Sequence, residues 1–245
     1  MGFSNVYEDA KGAEAYAKLE FPRTYYLAYR DIPEIIFEHV KGRNAIDFGC
    51  GTGRSTRFLQ KLGFNTVGVD ISQDMIKKAR EIDPKGDYRL VKEGDLSLFK
   101  DNACDLALSA FTFDNIPTME KKVKILREIR RLLKTEGIMV NSVSSPEIYT
   151  HEWASFSTKD FSENKRARSG DKVRIIVTEL EDKRPVEDIV WTDEYYRKTY
   201  QKAGLQIVEA HKSLAKENEP YKWINETRIA PWVTYVLKKA KVSTS

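Results

Sequence analysis

The stretch Asn44-Ala45-Ile46-Asp47-Phe48-Gly49-Cys50-Gly51-Thr52-Gly53-Arg54-Ser55 constrains this chain more than any other, because a short apolar run ends there in glycines at alternate positions. Such a run predicts a buried strand that turns into a helix. The glycines admit the left-handed backbone and let a ligand lie against the main chain, while the helix offers free N–H groups. A dinucleotide-binding turn needs G-x-G-x-x-G, with the third glycine where helix packs on strand. Here Arg54 stands in that place and Gly53 comes one residue early. Asp47, two residues before the first glycine, would repel a pyrophosphate but suits a ligand with a positive centre.

Composition bounds the rest. A chain of 245 residues suits one α/β domain with an insertion. Hydrophobic residues at 41% and charged residues at 32% describe a soluble globular protein. No apolar run approaches the roughly 18 to 20 residues of a membrane span, and the first residues lack a signal-peptide core, so a cytoplasmic location is expected. Cys50 and Cys104 form no metal or redox spacing and suit small buried positions. The net charge of +4 is mild and spread over helix faces, which suits solvated surface better than a nucleic-acid footprint.

Along the chain, strand and helix alternate. Before the first strand, Tyr7, Tyr16, Phe21, Tyr25, Tyr26 and Tyr29 crowd together with Arg23 and Arg30, either packing a helix on the sheet or forming a lid over a pocket. Pro33 opens a helix that Gly42 is expected to close. After the glycine loop, a helix ends near Gly63, and residues 65–70 read as the second strand, with Asp70 at its tip about 20 positions beyond the loop, where a carboxylate can grip a ribose diol. A helix with Met75, Ile76, Ala79 and Ile82 on one face follows. Residues 87–91 make a third strand, residues 104–111 a fourth, and a helix from about Thr118 to Lys134 carries Lys121, Lys122, Arg127, Arg130 and Arg131 on a face expected to be solvated. Gly137 should stop that helix, and residues 138–143 form the fifth strand. There the alternation breaks. Residues 173–178 and 186–191 read as an antiparallel hairpin above the sheet, and residues 205–210 and 231–237 as a final antiparallel pair, with a frayed tail from Lys238.

With Asp47-Phe48-Gly49-Cys50-Gly51-Thr52-Gly53 on the page, the chain resembles motif I of the class I, Rossmann-like S-adenosylmethionine-dependent methyltransferases. That cofactor carries an ammonium and a sulfonium and no phosphate. The resemblance implies an α/β fold: a doubly wound, mostly parallel seven-stranded sheet with an inserted lid or hairpin, one domain over residues 1–245. Within it, residues 1–41 would be an N-terminal helical lid segment, 42–143 the cofactor-binding core, 144–190 a substrate-cover insertion, and 191–245 a C-terminal helix and β-hairpin of the sheet. It implies S-adenosylmethionine as cofactor, held in the loop by Asp47, Gly49, Cys50, Gly51 and Gly53 and at the second strand by Asp70 and Ile71. Met75 would lie against the adenine or serve the core. In Glu93-Gly94-Asp95-Leu96, Asp95 would accept from the adenine amino group while the Leu96 N–H serves the ring. Ser109, Tyr25 and Arg30 complete the implied cofactor set.

The implied reaction is an in-line displacement at the sulfonium methyl, in which the protein aligns a nucleophile, excludes water and, for a protonated acceptor, removes a proton. In many relatives the turn after the fourth strand carries histidines, and here Asp114 and Asn115 stand in their place. Asp114 and His151 are the candidate catalytic residues, with Tyr25 and Tyr26 as further candidate bases; each also has a structural role open to it. No metal constellation is visible. An aromatic lid suits a small-molecule methyl acceptor, with the acceptor atom (O, N or C) left open. The alternatives are an RNA (tRNA base) acceptor, suggested by Lys165, Arg166 and Arg168, or a non-catalytic S-adenosylmethionine-binding protein. Nucleic acid and membrane are not the expected partners.

Overall fold

A computed structural model describes residues 21–241; Tyr7, Tyr16 and the tail beyond Lys241 lie outside the described residues. The strands in chain order are β1 Asn44–Phe48, β2 Asn65–Asp70, β3 Asp87–Leu90, β4 Cys104–Ala110 and β5 Leu133–Ser144, then β6 Phe156–Ser157, β7 Lys172–Val177 and β8 Val186–Ile189, then β9 Leu205–His211 and β10 Trp232–Lys239. The helices are α1 Thr24–Arg30, α2 Ile32–His39, α3 Arg54–Lys61, α4 Gln73–Ile82, α5 Met119–Leu132 and α6 Asp193–Lys202. Seven strands form the main sheet in the order β3-β2-β1-β4-β5-β10-β9. β10 runs antiparallel to both of its neighbours, and the other pairings are parallel. This is the expected mixed α/β sheet. The chain winds outward from β1 through β2 to β3 and then crosses to β4 on the other side of β1. The carboxyl ends of β1 and β4 therefore flank a topological switch point, where open α/β sheets hold ligands.

Side-chain alternation divides the core into two layers. Leu106 and Leu108 of β4 and Ile138 and Val140 of β5 face the layer that contains α1 and α2. Ala107 and Met139, one residue out of phase, face the layer under α5 and α6 with Leu126, Ile129 and Tyr200. Ser72 and Thr192 cap α4 and α6: each hydroxyl accepts from the N–H three residues on, at Met75 and Tyr195.

Several boundaries differ from expectation. α2 ends at His39, with Val40 already extended, so Gly42 does not close the helix. A Cβ at Gly42 would instead lie 2.0 Å from the Asp105 carboxyl carbon, so a side chain there would have to displace the carboxylate that accepts from Asn44 N. Gly137 does not stop α5 either: Leu133 turns extended at φ −61°, ψ 137°, and β5 starts there. Leu132 and Leu133 are both buried, and the switch from helix to strand lets each find a core partner. Lys238 and Lys239, expected in a frayed tail, are the last rungs of β10, paired with Gln206 and Leu205. Lys122, expected on a solvated face, is fully buried. It lies three and four residues before Ile125 and Leu126, on the apolar stripe of α5.

A three-stranded antiparallel sheet, β6-β7-β8, stands beside the main sheet. Glu226, fully buried, ties it to α1. Its Oε1 accepts from Thr24 Oγ1 (2.6 Å) and Ala154 N (2.7 Å), and its Oε2 accepts from Ile224 N (2.8 Å) and Asn225 N (3.1 Å). Thr24 and Ser155 exchange two further bonds, and the Trp232 indole donates to the Thr24 carbonyl at 2.8 Å. A single carboxylate thus joins α1, the strand insertion and the connection before β10.

Candidate active site

The strand–loop–helix unit after β1 forms one wall. Gly49, Gly51 and Gly53 all take positive φ. A Cβ on Gly49 would stand 2.0 Å from the Thr112 hydroxyl oxygen, so the loop packs directly on the turn after β4. At Gly51 nothing lies nearer such a carbon than the Met75 sulfur at 4.0 Å. The main chain there faces open space, the cradle that a close-lying ligand requires.

That space is a cavity of about 410 Å³ at the switch point. At one end Gly49, Gly51, Asp70, Ile71 and Met75 line it, with Glu93 and Gly94 beyond. Asp70 accepts from the N–H groups of Gly51 and Ser72, both at 2.9 Å, and burial raises its carboxyl above the ordinary range. Lys121 and Glu93 on this wall pair at 2.8 Å. At the other end the walls are Tyr25 and Trp232 from below and Tyr149, Phe156, Val177 and Val186 of the insertion above. Phe111, held in left-handed backbone at φ 65°, also lines the cavity and packs against Trp232 at 4.5 Å between ring centroids.

Two carboxylates reach this second end, Asp114 from the turn after β4 and Asp188 from β8. Asp114 accepts from Ser144 N (3.0 Å) and the Tyr196 hydroxyl (3.0 Å). Burial pushes its carboxyl up to about 6 against the pull of those bonds. Asp188 accepts from the Tyr149 hydroxyl at 3.3 Å, and burial, reinforced by the charge of Asp114, pushes it up to about 7. Behind Asp114 the ammonium of Lys122 donates to the Ile116 carbonyl and lies 4.0 Å from the Trp191 ring centroid. Burial brings that ammonium down to about 7, opposed by Asp114.

Of the residues singled out in the sequence, Gly49, Gly51, Asp70, Ile71, Met75, Tyr25 and Asp114 meet on this cavity wall. Others do not. Asp47 is buried beneath the loop, where its Oδ2 accepts from Ser55 (2.7 Å) and Thr56 (2.6 Å) and so pins the start of α3. Cys50 is a buried free thiol whose pKa burial drives well up, and Gly53 packs against the Tyr88 ring. Asp95 is exposed and accepts from Ser97 N at 2.9 Å, turned away from the cavity that its neighbours Glu93 and Gly94 line. Leu96 and Ser109 are fully buried in the core. Arg30 bonds Asp31 and Glu219, both at 2.7 Å, so it clamps α1 to the connection before β10. His151 lies outside the wall, its Nδ1 3.0 Å from Thr150 Oγ1, and the Tyr26 ring leans on Tyr221. Sequence reasoning missed Asp188, although alternation with Val186 and Val190 places it on one face of its strand. It also missed the buried ammonium of Lys122. Among the described residues Glu38, His39 and Glu209 approach closely enough to share an ion, and none of them lines the cavity.

Arg54, the residue at the third-glycine position, has its guanidinium carbon 5.1 Å from the Tyr25 ring centroid, 5.2 Å from Phe21 and 5.7 Å from Tyr29. It fastens the loop helix to α1.

The sequence matches the methyltransferase-domain family model over residues 46–141, the span from β1 into β5 that builds the first end of this cavity. Over that span the chain carries a methyltransferase domain, and its fold is that of the class I S-adenosylmethionine-dependent methyltransferases. Their cofactor is S-adenosylmethionine. An uncharacterized protein of Methanocaldococcus jannaschii is 33% identical over 154 residues, which cover 62% of this chain and 55% of that one. The chain thus spans about half the length of that relative. N-demethylindolmycin N-methyltransferase of Streptomyces griseus is 24% identical over 204 residues, covering 82% of this chain and 85% of its own. Among solved structures, the CcbJ methyltransferase of Streptomyces caelestis superposes with a TM-score of 0.66 at 18% identity, covering 97% of this chain and 99% of the other, which establishes the shared fold. No helix among the described residues is long and apolar enough to cross a membrane.

Proposed function

We propose that this protein transfers the methyl group of S-adenosylmethionine to a small-molecule acceptor bound between the glycine loop and the inserted sheet. The observation that carries this reading is the continuity of the cavity: the Asp70 end and the Asp114–Asp188 end belong to one cavity of about 410 Å³. Cofactor and acceptor could then meet in line without solvent between them. When bound, the cofactor supplies the activated methyl group.

The chain's own residues would divide the remaining work. Asp70 would take the ribose hydroxyls, with Ile71 and Met75 against the base, and Gly49 and Gly51 would let the amino-acid end lie on the main chain. Asp95 could serve the base only by leaving its bond to Ser97. Phe111, Tyr25 and Trp232 would shape the passage between cofactor and acceptor, and Asp114 would face the acceptor. Residues 144–190, together with α1, would form the cover. The name of the Streptomyces griseus relative, an enzyme for N-demethylindolmycin, supports a small molecule. Two buried unpaired thiols suit a reducing, cytoplasmic setting.

Calorimetric titration with S-adenosylmethionine, with NADH and NADPH as controls, is the test. Micromolar binding of the sulfonium cofactor alone is the expected outcome, and binding of a nicotinamide instead would overturn the proposal. Methyl transfer should vary little between about 50 and 200 mM salt. A steep loss over that range would point to a phosphate-bearing acceptor such as RNA recognised through exposed Lys165 and Arg166.

A further inference from the structure

The acceptor end of the cavity has a charge character that narrows the substrate class. Its walls are largely aromatic and aliphatic; its ionisable side chains are acidic or phenolic, Asp114, Asp188 and Tyr149, and Thr112, Asn115 and Ser144 beside them are neutral. Lys121, the one cation among the described lining residues, is paired with Glu93 at the cofactor end. Lys122 stands behind Asp114 and offsets one of the two carboxylates from outside the cavity. Asp188 accepts a hydrogen bond from the Tyr149 hydroxyl at 3.3 Å.

Removing a carboxylate from water is costly unless a cation or donors compensate it. Asp188 meets that cost through the raised carboxyl already described, set by burial, by Asp114 and by Glu187. A ligand carrying an ammonium would remove the cost. It would find carboxylate oxygens for its N–H groups and the rings of Tyr149, Phe156 and Trp232 for its charge and its apolar body. An acceptor bearing a carboxylate or phosphate would be repelled.

We infer that the acceptor is an amine on an aromatic or aliphatic body, bound as its ammonium by Asp188 beside Asp114 and deprotonated there before it attacks. The inference rests on the proposed methyl-transfer reading of the cavity. In the step, an ammonium N–H proton passes to the Asp188 carboxylate. The freed nitrogen lone pair forms the N–CH3 bond as the C–S bond breaks, and that bonding pair stays on sulfur, which becomes a neutral thioether. The positive charge of the sulfonium thereby passes to the methylated nitrogen, beside the Asp114 carboxylate and the now protonated Asp188, which can lose its proton again as the product leaves. Proton transfer of this kind needs a carboxyl whose affinity approaches neutrality, the direction in which both Asp114 and Asp188 are displaced.

The test separates the inference from the reading beneath it. Wild-type protein is first titrated with S-adenosylhomocysteine; if this fails to bind, the cofactor reading falls, and the amine inference with it. The saturated protein is then titrated with phenethylamine and tryptamine, each against the alcohol of the same skeleton. At least tenfold tighter binding of the amines is expected. In Asp188→Asn that preference should collapse to within about twofold while S-adenosylhomocysteine affinity stays within about threefold of wild type, which also reports that the variant is folded. The amine-to-alcohol comparison in wild type needs no variant. Equal affinity for amine and alcohol, binding of neither amine, or a preference that survives Asp188→Asn would each overturn the inference while leaving cofactor binding intact.

Discussion

Glu226→Gln tests how the cavity cover is held. The carboxylate accepts four hydrogen bonds, two on each oxygen, from Thr24, Ala154, Ile224 and Asn225, and its side chain is fully shielded from solvent. Glutamine keeps the shape but replaces one oxygen with an NH2 group, so whichever way the amide turns, two donors face a donor. Bonds to a charged acceptor are worth about 1.5–3 kcal/mol each, and a buried donor left without a partner costs about 1–3 kcal/mol. These effects overlap, which puts the loss at about 3–5 kcal/mol, a large part of the roughly 5–15 kcal/mol that holds a domain together. Chemical denaturation of wild type and variant at neutral pH measures it. Because α1 carries Tyr25 and the carbonyl that receives Trp232, the same change should loosen the acceptor end and raise KM for the acceptor more than for the cofactor. A variant within about 1 kcal/mol of wild type would show that the four bonds are replaced by water, and would refute the view of Glu226 as the joint between α1 and the insertion.

Other perturbations address the cofactor end. Asp70→Ala should weaken S-adenosylmethionine binding by about 1–3 kcal/mol, the scale of a lost carboxylate bond; unchanged affinity in calorimetry of the folded variant would misplace the ribose. Asp47 reports through pH. Its carboxyl is pushed up by burial from 3.8 to about 6, so between those values the native state keeps a proton that the unfolded chain has released, and stability falls as pH rises through that window. Asp47→Asn should flatten the unfolding free energy of the cofactor-free protein between about pH 4 and 6, by up to about 3 kcal/mol. An unaltered slope would mean that the Ser55 and Thr56 hydroxyls compensate the ionised form fully.

Much of the glycine-loop end of the cavity was legible because its signals are local. The glycine spacing, the tip of β2 at Asp70 and the stripe of α4 that brings Met75 inward each lie within a few residues of chain, and the structure brings them together. The same local logic overreached at Asp47 and Asp95. An acidic residue beside a loop announces proximity, while the direction of its side chain depends on which N–H or hydroxyl lies nearest, here Ser55 and Thr56 for one and Ser97 for the other. The acceptor end was not legible. Asp188 and Asp114 belong to strands and turns far apart in sequence, and only the fold of β8 over the turn after β4 makes them neighbours. Lys122 was misjudged by residue type alone, since its spacing to Ile125 and Leu126 already placed it on the buried stripe of α5.

Arg54 bears on whether such a loop could be exchanged for one of another specificity. By spacing alone, one substitution to glycine, with Gly53 changed in compensation, would approach a nicotinamide-type turn. Yet the guanidinium is the hub to which Phe21, Tyr25 and Tyr29 are gathered. Removing it would uncouple the first helix from the loop and open one wall of the cavity, so the identity of the loop and the enclosure of the cavity are inherited through one side chain. A designer who wished to retarget this scaffold would have to rebuild both together, and lineages drifting from it would face the same barrier.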